Sequence, residues 1–448
     1  MLPKLLKRFS ASAFLKGTLF LSLAGILTRI MGFFFRILIS RVFQEKGMGI
    51  FQLSMPLITL FLGFSSTGIQ IAISKYVAQF SVTGDTCKMK RYIWVGLSMG
   101  LMISCSIGSI LYVFSGEIAN YWLHEPLCAP LLKIAAISFP PSTIHACLNG
   151  YFIGKKEAKV PAYSQLLEQA VRISTVLLVL WFCKWQQKGY SYALLMWGNV
   201  WGEIATCLYS YGAFRKHIAL QHCSLTKSNQ QAPFFQTVED ISRLAVPLSC
   251  NRLILGLLQS LEAAQIPRML QVFGYAGSTA LSIYGVLTGM SLSVILFPAS
   301  IVGSAATMLL PTVSQAKTRR DQATISALVN RSFFWGFSLG FLALVGFFLF
   351  GKPIGKILFD SPLAGKFITV LGFICPFLYM STLFTSMING LGKPLYAFFI
   401  QCFSISIRIM FILFAIPLWG INGYLWGLLI SSIFSAGCNY MVIKNLTK

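Results

Sequence analysis

Acidic side chains are the scarcest feature of this 448-residue sequence, which has 12 Asp and Glu residues against 36 Lys and Arg residues. Charged residues of both signs make up 11% of the chain, whereas a soluble domain has about 25%. Hydrophobic residues make up 56%, and the mean hydropathy is +0.72. These values exclude a soluble globular protein and predict a chain that crosses a membrane many times.

The sequence also lacks the motifs of nucleotide-driven, metal-dependent and enzymatic chemistry. The segment 351–357 has the wrong spacing for a P-loop and no final Ser or Thr, so no ATPase site is predicted. The 4 histidines are scattered, and the 11 cysteines include no C-x-x-C pair. We therefore predict no enzyme, no metal site and no cofactor, with Na⁺ or H⁺ as the coupling ion of any transport.

The first long apolar run, Leu15 to Phe43, contains two arginines in its interior, Arg29 and Arg36. They lie two helical turns apart, so a helix would place both on one face together with Gly25 and Gly32. An arginine near the bilayer centre costs about 2.5–3.5 kcal/mol on insertion scales. This face is therefore expected to line a water-filled cavity or another helix.

The sequence contains twelve long apolar runs, of which this is the first. They predict an all-α polytopic membrane protein with about 12 transmembrane helices. We predict two six-helix bundles, 1–214 and 241–448, joined by a cytoplasmic linker at 215–240. The runs lie at about 15–42, 50–78, 92–114, 131–153, 161–183, 190–214, 241–267, 279–311, 328–350, 366–390, 394–417 and 421–443.

The two halves resemble each other at a nearly constant spacing. The segment 50–79 aligns with 283–315, and 148–165 aligns with 388–401, where both members contain Asn-Gly followed by Lys, Pro and Tyr. Each helix keeps its direction across the repeat. This parallel duplication is typical of transporters that alternate access between two bundles.

Most basic residues fall in short loops, so the positive-inside rule explains the net charge of +24 without nucleic acid. The loop charges predict that both termini are cytoplasmic. The outer segments are poorer in basic residues, with Arg41 and Lys46 in the first and Lys184 and Lys188 in another, and the segment with Lys352, Lys356 and Lys366 is the exception.

Six stretches resemble the stage V sporulation protein B group of polysaccharide exporters, within the flippase superfamily that includes MurJ-type lipid II flippases and multidrug exporters. The resemblance implies alternating access in two six-helix bundles and a lipid-linked sugar as cargo. MurJ-type flippases have further arginines in the second and eighth helices, whereas the matching positions here, around 59–62 and at Ser293, are uncharged. The stretches are KGTLFLSLAGILTRIMGFFFRI, GMGIFQLSMPL, STGIQIAISK, SLEAAQIPRML, ALSIYGVLTGMSLSVILFP and LLPTVSQA.

Arg29 and Arg36 are the residues predicted to bind the cargo, with Arg252 as a third cation of the cavity. Guanidinium stays ionised and matches phosphate oxygens with a planar fork of donors. The structural alternative is helix packing, in which each arginine contacts backbone carbonyls or a buried carboxylate.

Six further charged residues lie in apolar runs and are candidates for ion coupling or buried pairing: Glu168, Arg172, Glu203, Glu262, Arg268 and Arg408. Glu168 and Arg172 have the spacing of an i, i+4 ion pair. Glu262 could exchange a proton or hold Na⁺, or it could pair with Arg29, Arg36 or Arg252. The sequence assigns no partner to Glu203 or Arg408.

These observations predict an ion- or potential-driven flippase for an undecaprenyl-pyrophosphate-linked glycan, such as a peptidoglycan precursor or another cell-envelope unit. We expect a monomer that contacts membrane lipids, with envelope-synthesis proteins as candidate partners and no nucleic acid. Two alternatives remain: a cation-coupled multidrug exporter, which the cationic first helix disfavours, and a non-transporting scaffold of an envelope-synthesis complex.

Overall fold

The computed structural model describes residues 2–185, 191–219 and 234–446, and their side chains from residue 23 onward except at 218. Within these ranges the chain is helical and contains no β-strand, which confirms the all-α class. Fifteen helices there are nine residues or longer: α1 Leu2–Leu62, α2 Gly68–Thr83, α3 Thr86–Val113, α4 Ala129–Ile137, α5 Phe139–Gly154, α6 Lys159–Trp185, α7 Leu194–Ala219, α8 Phe234–Phe273, α9 Gly277–Gly285, α10 Leu292–Thr318, α11 Gln322–Phe359, α12 Pro362–Leu371, α13 Cys375–Gly390, α14 Pro394–Phe414 and α15 Ile421–Leu446.

The helices account for each of the predicted apolar runs. In the described ranges, nine helices are long and apolar enough to cross a membrane, and the pair Pro126–Ile137 and Phe139–Gly154, bent by 45°, makes a tenth candidate. The first of the nine, Leu23–Thr83, contains two predicted runs because Gln44 breaks the helix (φ 56°, ψ −168°). The remaining predicted run is α7, which is less apolar than the others.

Many large apolar side chains are exposed along these helices. In α11, Phe334, Leu342 and Leu349 have exposed fractions of 69%, 68% and 62%. Exposed apolar surface on this scale is costly in water and is favourable against lipid. The exposure pattern therefore agrees with a multi-pass membrane protein.

The structure divides into two compact units, each made of two chain segments. The first contains 1–31 and 54–256, and the second contains 32–53 and 257–448. Helices α1 and α8 each contribute residues to both units. Residues 32–53 pack within the second unit, where the backbone of Leu281 closely approaches Gly49. Residues 234–256 pack within the first, where Ala245 closely approaches Gly68.

The two units repeat the same local structures at a separation of 236 residues. Backbone with positive φ occurs at Gly84 in the first unit and at the equivalent Arg320 in the second. It occurs again at Lys156 and at the equivalent Gly392. Helices α5 and α13 have the same bounds at this separation (139–154, 375–390). The sequence alignment of 148–165 with 388–401 was therefore wrong by about one helical turn, because the shared Asn-Gly occurs at different positions in the two helices.

Two aspartates start the corresponding helices α3 and α11 in the same way. Asp85 accepts a hydrogen bond from the Lys88 N–H at 3.1 Å, and Asp321 accepts one from the Thr324 N–H at 2.9 Å. The Thr324 hydroxyl also donates to Asp321 at 2.6 Å. Hydrogen bonds from the Thr324 hydroxyl and N–H favour the ionised carboxylate and so lower the pKa of Asp321.

Glycine at the end of α13 permits close packing that a larger residue would prevent. A Cβ at Gly390 would lie 2.7 Å from the Leu310 carbonyl oxygen, and one at Gly154 would lie 2.6 Å from the Ser74 carbonyl oxygen. We expect Gly390→Ala to lower the free energy of unfolding by about 1–3 kcal/mol, since backbone must move. Thermal unfolding of the purified protein measures this. Gly437→Ala, where no atom lies within 4 Å of the added Cβ, is the control, and an equal effect there would contradict the packing explanation.

Candidate functional site

Arg36 is a half-buried cation in the second unit whose contacts are made with neutral groups. Its Nη1 donates to Ser293 Oγ at 2.7 Å, and that hydroxyl donates to the Gly289 carbonyl oxygen at 2.6 Å. All 12 acidic residues of the sequence lie in the described ranges, and none has a carboxylate oxygen within 4 Å of the Arg36 guanidinium. The positive charge is therefore not neutralised by a side-chain carboxylate.

The surrounding part of α1 fixes the direction of Arg36. Phe35 and Ile39 are buried, and the Phe33 ring packs on Phe297 with centroids 4.7 Å apart. These contacts fix the rotation of the helix about its axis and direct Arg36 toward Ser293 on α10. Arg29 belongs to the first unit, where its side chain is exposed.

Glu262 forms a buried ion pair with Arg408 in the second unit. The guanidinium donates from Nε to Oε1 at 2.7 Å and from Nη2 to Oε2 at 2.9 Å. The Tyr424 hydroxyl donates to Oε1 at 2.8 Å. Three helices, α8, α14 and α15, meet at this carboxylate. Its partner is Arg408, which the sequence could not assign.

Glu168 and Arg172 form the ion pair that their spacing predicts. Arg172 Nη2 donates to Glu168 Oε1 within α6, and both side chains are about one-fifth exposed (21% and 19%). This arginine thus has a carboxylate partner inside the apolar part of the chain. As with Arg408, its charge is neutralised within its own unit.

A second polar group of the first unit joins α5, α6 and α7. Glu203 Oε2 lies 3.5 Å from His145 Nδ1, and His145 Nε2 contacts the amide of Asn149 at 2.7 Å and the Ser164 hydroxyl at 3.2 Å. Glu203 Oε2 accepts no hydrogen bond from the described residues. The cluster holds a histidine beside an incompletely satisfied carboxylate.

The other predicted cations, Arg252 and Arg268, are exposed on α8 and form no ion pair with the acidic residues. Arg252 belongs to the first unit and Arg268 to the second. Among these arginines, Arg172 and Arg408 are paired with glutamates, whereas Arg36, Arg252 and Arg268 have no carboxylate partner among the acidic residues.

Three residues that contact the buried charged groups were not identified from the sequence: Ser293, Tyr424 and His145. Hydroxyl groups are common in membrane helices, so nothing in the sequence distinguishes Ser293 or Tyr424. His145 had a usable signal, because an intramembrane histidine and an intramembrane glutamate have complementary chemistry. In the described ranges, no cluster of three or more His, Cys, Asp or Glu could hold a metal ion.

Comparisons with known proteins agree with this architecture. The family model described as polysaccharide biosynthesis protein matches residues 14–317, and the MatE model matches 265–414. Stage V sporulation protein B of Bacillus subtilis (strain 168) is 29% identical over 361 residues, covering 80% of this chain and 69% of that protein. Lipid II flippase MurJ of the same organism is 22% identical, covering 97% of this chain and 83% of that protein.

The fold also matches a solved structure. An inward-facing multidrug resistance MATE family transporter of the MOP superfamily superposes with a TM-score of 0.70 at 12% identity, covering 94% of this chain and 95% of that one. At this identity the likeness concerns the fold. With a family model matching residues 14–317, the chain belongs to the polysaccharide biosynthesis protein family and has the all-α membrane fold of the MOP superfamily.

Proposed function

We propose that this protein moves an undecaprenyl-pyrophosphate-linked glycan from the cytoplasmic to the outer leaflet of a bacterial cytoplasmic membrane, with Arg36 and Arg29 binding the diphosphate. The coarser class, a membrane transporter or flippase of the MOP superfamily, follows from the family and the fold. The name of one relative, lipid II flippase MurJ, supports a lipid-linked cargo, and the family description, polysaccharide biosynthesis protein, supports a glycan.

The observation that carries the proposal is the absence of a carboxylate beside Arg36. A charge removed from water is costly unless it is paired, and this chain pairs Arg172 and Arg408 with glutamates. Ser293 orients the Arg36 guanidinium but takes one of its five N–H donors. The remaining donors suit the oxygens of a phosphate, which would supply the missing negative charge.

The same charge argues against the multidrug alternative. Cationic drugs would face a like charge at Arg36, whereas an anionic cargo is attracted to it. The polyprenyl tail is expected to stay in the bilayer while the sugar crosses. Cytoplasmic termini and a monomeric state are parts of the proposal that rest on the loop charges and on the resemblance.

Coupling to H⁺ at His145 and Glu203 is the second part of the proposal. The position equivalent to His145 in the second unit is Ser381 (145 to 381), which bonds to Ser435 at 2.7 Å and to Asn439 at 3.2 Å. In the second unit, the corresponding contact between helices is therefore made by neutral groups. The fold does not require charge there, so the charges of the first unit are free to serve coupling.

We expect the double substitution His145→Ser and Glu203→Gln to leave the protein folded and to remove its response to a pH gradient. The ratio of translocation rates with and without the gradient should fall to about one, because a ligand shifts transport only through a site that binds it. Proteoliposomes with an imposed gradient measure the ratio. An unchanged ratio in a folded variant would assign coupling to other groups.

The test of the cargo compares three substrates with the wild-type protein in proteoliposomes. A fluorescent undecaprenyl-pyrophosphate-linked glycan should become accessible to a membrane-impermeant quencher. The same label on a neutral lipid, and a cationic dye typical of multidrug pumps, should not be moved. Transport of the dye alone would favour the exporter, and movement of none of the three by a folded protein would favour the scaffold.

A further inference from the structure

A cavity of about 720 Å³ opens where α1 breaks and α11 ends, within the second unit. Its lining includes three cations, Arg41, Lys46 and Lys356, and two carboxylates, Glu45 and Asp360. This volume lies within the range of about 300–1,000 Å³ that is typical of small-molecule sites. All three cations lie in segments predicted to be outside, where the positive-inside rule does not account for basic residues, and Lys356 comes from the segment that is the exception to that rule.

The Arg41 guanidinium is held in place by backbone. Its Nε donates to the Leu358 carbonyl oxygen at 3.0 Å and its Nη2 donates to the Ile357 carbonyl oxygen at 2.6 Å. These carbonyls belong to the last turn of α11, whose oxygens have no partner inside the helix. Three of the five guanidinium N–H groups are left for another acceptor.

The three cations and two carboxylates share the cavity without neutralising one another. No carboxylate oxygen of the chain's 12 acidic residues lies within 4 Å of the Arg41, Lys46 or Lys356 nitrogens. Glu45 Oε1 accepts a hydrogen bond from Ser361 Oγ at 2.6 Å instead. Positive and negative groups are thus held apart, as they would be for a ligand with anionic and hydroxyl-bearing parts.

The backbone at Gln44 maintains this arrangement. Its φ of 56° and ψ of −168° form a conformation that glycine adopts easily and glutamine adopts rarely. The helix is kinked at Gln44, and the side chains of Arg41 before the kink and Lys46 after it both line the cavity. Such backbone persists where the surrounding contacts hold it, and it is frequent at binding sites.

We propose that this cavity is a second binding site, which takes a phosphorylated sugar on the face predicted to be extracytoplasmic. The cations bind the phosphate oxygens, and Glu45 and Asp360 accept hydrogen bonds from the sugar hydroxyls. Arg36 lies five residues before Arg41, about 7.5 Å along the helix axis. The inference rests on the proposed function and adds a site that receives the diphosphate sugar after it leaves Arg36.

The phosphate of an anionic lipid headgroup has related chemistry, so the experiment compares the two sources. The probe is a water-soluble short-chain prenyl-diphosphate-linked N-acetylglucosamine, tested beside inorganic pyrophosphate and nanodiscs with and without phosphatidylglycerol. The readout is the acylation rate of individual lysines in the folded wild-type chain, followed by peptide mass spectrometry. Lys352 and Lys366 are internal controls, because they lie in the same segment but do not line the cavity.

We expect the sugar probe at ten times its Kd to slow acylation of Lys46 and Lys356 about tenfold, since the site is then mostly occupied. Lys352 and Lys366 should react at unchanged rates. Pyrophosphate should protect more weakly, because it lacks the sugar hydroxyls. Protection by phosphatidylglycerol and not by the sugar probe would overturn the proposal in favour of a lipid headgroup, and equal rates for all four lysines would overturn it outright.

A pair of variants separates this site from the proposed function. The double substitution Lys46→Ala and Lys356→Ala should weaken binding of the sugar probe at least about tenfold, as expected for two charge-assisted contacts. Lys352→Ala with Lys366→Ala removes the same charge and should not weaken it. Wild-type flipping with no lysine protection would reject this cavity alone. Protection in a protein that flips no glycan would reject the proposed function and leave the cavity as a phosphosugar site.

Discussion

Replacing Glu262 with glutamine is expected to lower the free energy of unfolding by about 3–5 kcal/mol, because it leaves the Arg408 charge buried and unpaired. The carboxylate is 7% exposed and accepts two bonds from Arg408 and one from Tyr424. Glutamine keeps the shape of the side chain and loses its charge. Thermal or denaturant unfolding of the purified protein in detergent measures the change.

A second substitution tests whether the effect arises from the pair. Glu262→Leu combined with Arg408→Met removes both charges, and we expect it to recover most of the lost stability, since apolar replacements of buried pairs are often neutral. The exposed pair Glu239 and Arg243, at 2.6 Å with exposed fractions of 59% and 75%, is the matched control. Glu239→Gln should cost less than about 1 kcal/mol.

The same variants decide between a structural and a coupling role for Glu262. If Glu262→Gln leaves the unfolding temperature unchanged but abolishes ion-dependent transport, the carboxylate serves coupling. A large loss of stability that Arg408→Met relieves assigns it to the fold. The three donors around the carboxylate favour the second outcome.

The all-α fold class and the order of the helices could be predicted because they depend on the local pattern of apolar and polar residues. Apolar runs of about 20 residues locate the spans, and the break at Gln44 falls in the polar interval between the first two. The repeat was also visible, although aligning Asn149-Gly150 with Asn389-Gly390 displaced it by one turn. Residue identity favoured that alignment. In the structure, Gly154 corresponds to Gly390 instead, because a Cβ added at Gly154 would meet the Ser74 carbonyl oxygen and one added at Gly390 would meet the equivalent Leu310 carbonyl oxygen.

Partners of the buried charges could be predicted only where they lie on one helix. Glu168 and Arg172 follow from i, i+4 spacing, and the structure pairs them. Glu262 and Arg408 are 146 residues apart, so their contact depends on how α8 and α14 pack. Composition gives no signal for that packing. For the same reason, the contact between Arg36 and Ser293, 257 residues apart, could not be anticipated.

Arg36→Ala is expected to slow translocation of the lipid-linked glycan about 10- to 100-fold, the effect of losing one or two charge-assisted hydrogen bonds to phosphate. Arg36→Lys keeps the charge but loses the planar fork, so an intermediate rate is expected. Ser293→Ala removes the group that orients the guanidinium and should have a smaller effect than Arg36→Ala. Unfolding temperatures should change little, because Arg36 has no carboxylate partner that the substitution would leave unpaired.

Translocation of a fluorescent undecaprenyl-pyrophosphate-linked glycan by proteoliposomes with wild type, Arg29→Ala, Arg36→Ala or Arg319→Ala protein tests whether Arg29 and Arg36 bind the cargo. Arg319 is an exposed arginine between α10 and α11 and serves as the control for loss of one positive charge. We expect flipping by the wild type and Arg319→Ala proteins, flipping slowed about 10- to 100-fold in the folded Arg36→Ala protein, and impaired flipping by Arg29→Ala. Unchanged flipping by folded Arg36→Ala and Arg29→Ala proteins would contradict the claim that these arginines bind the cargo.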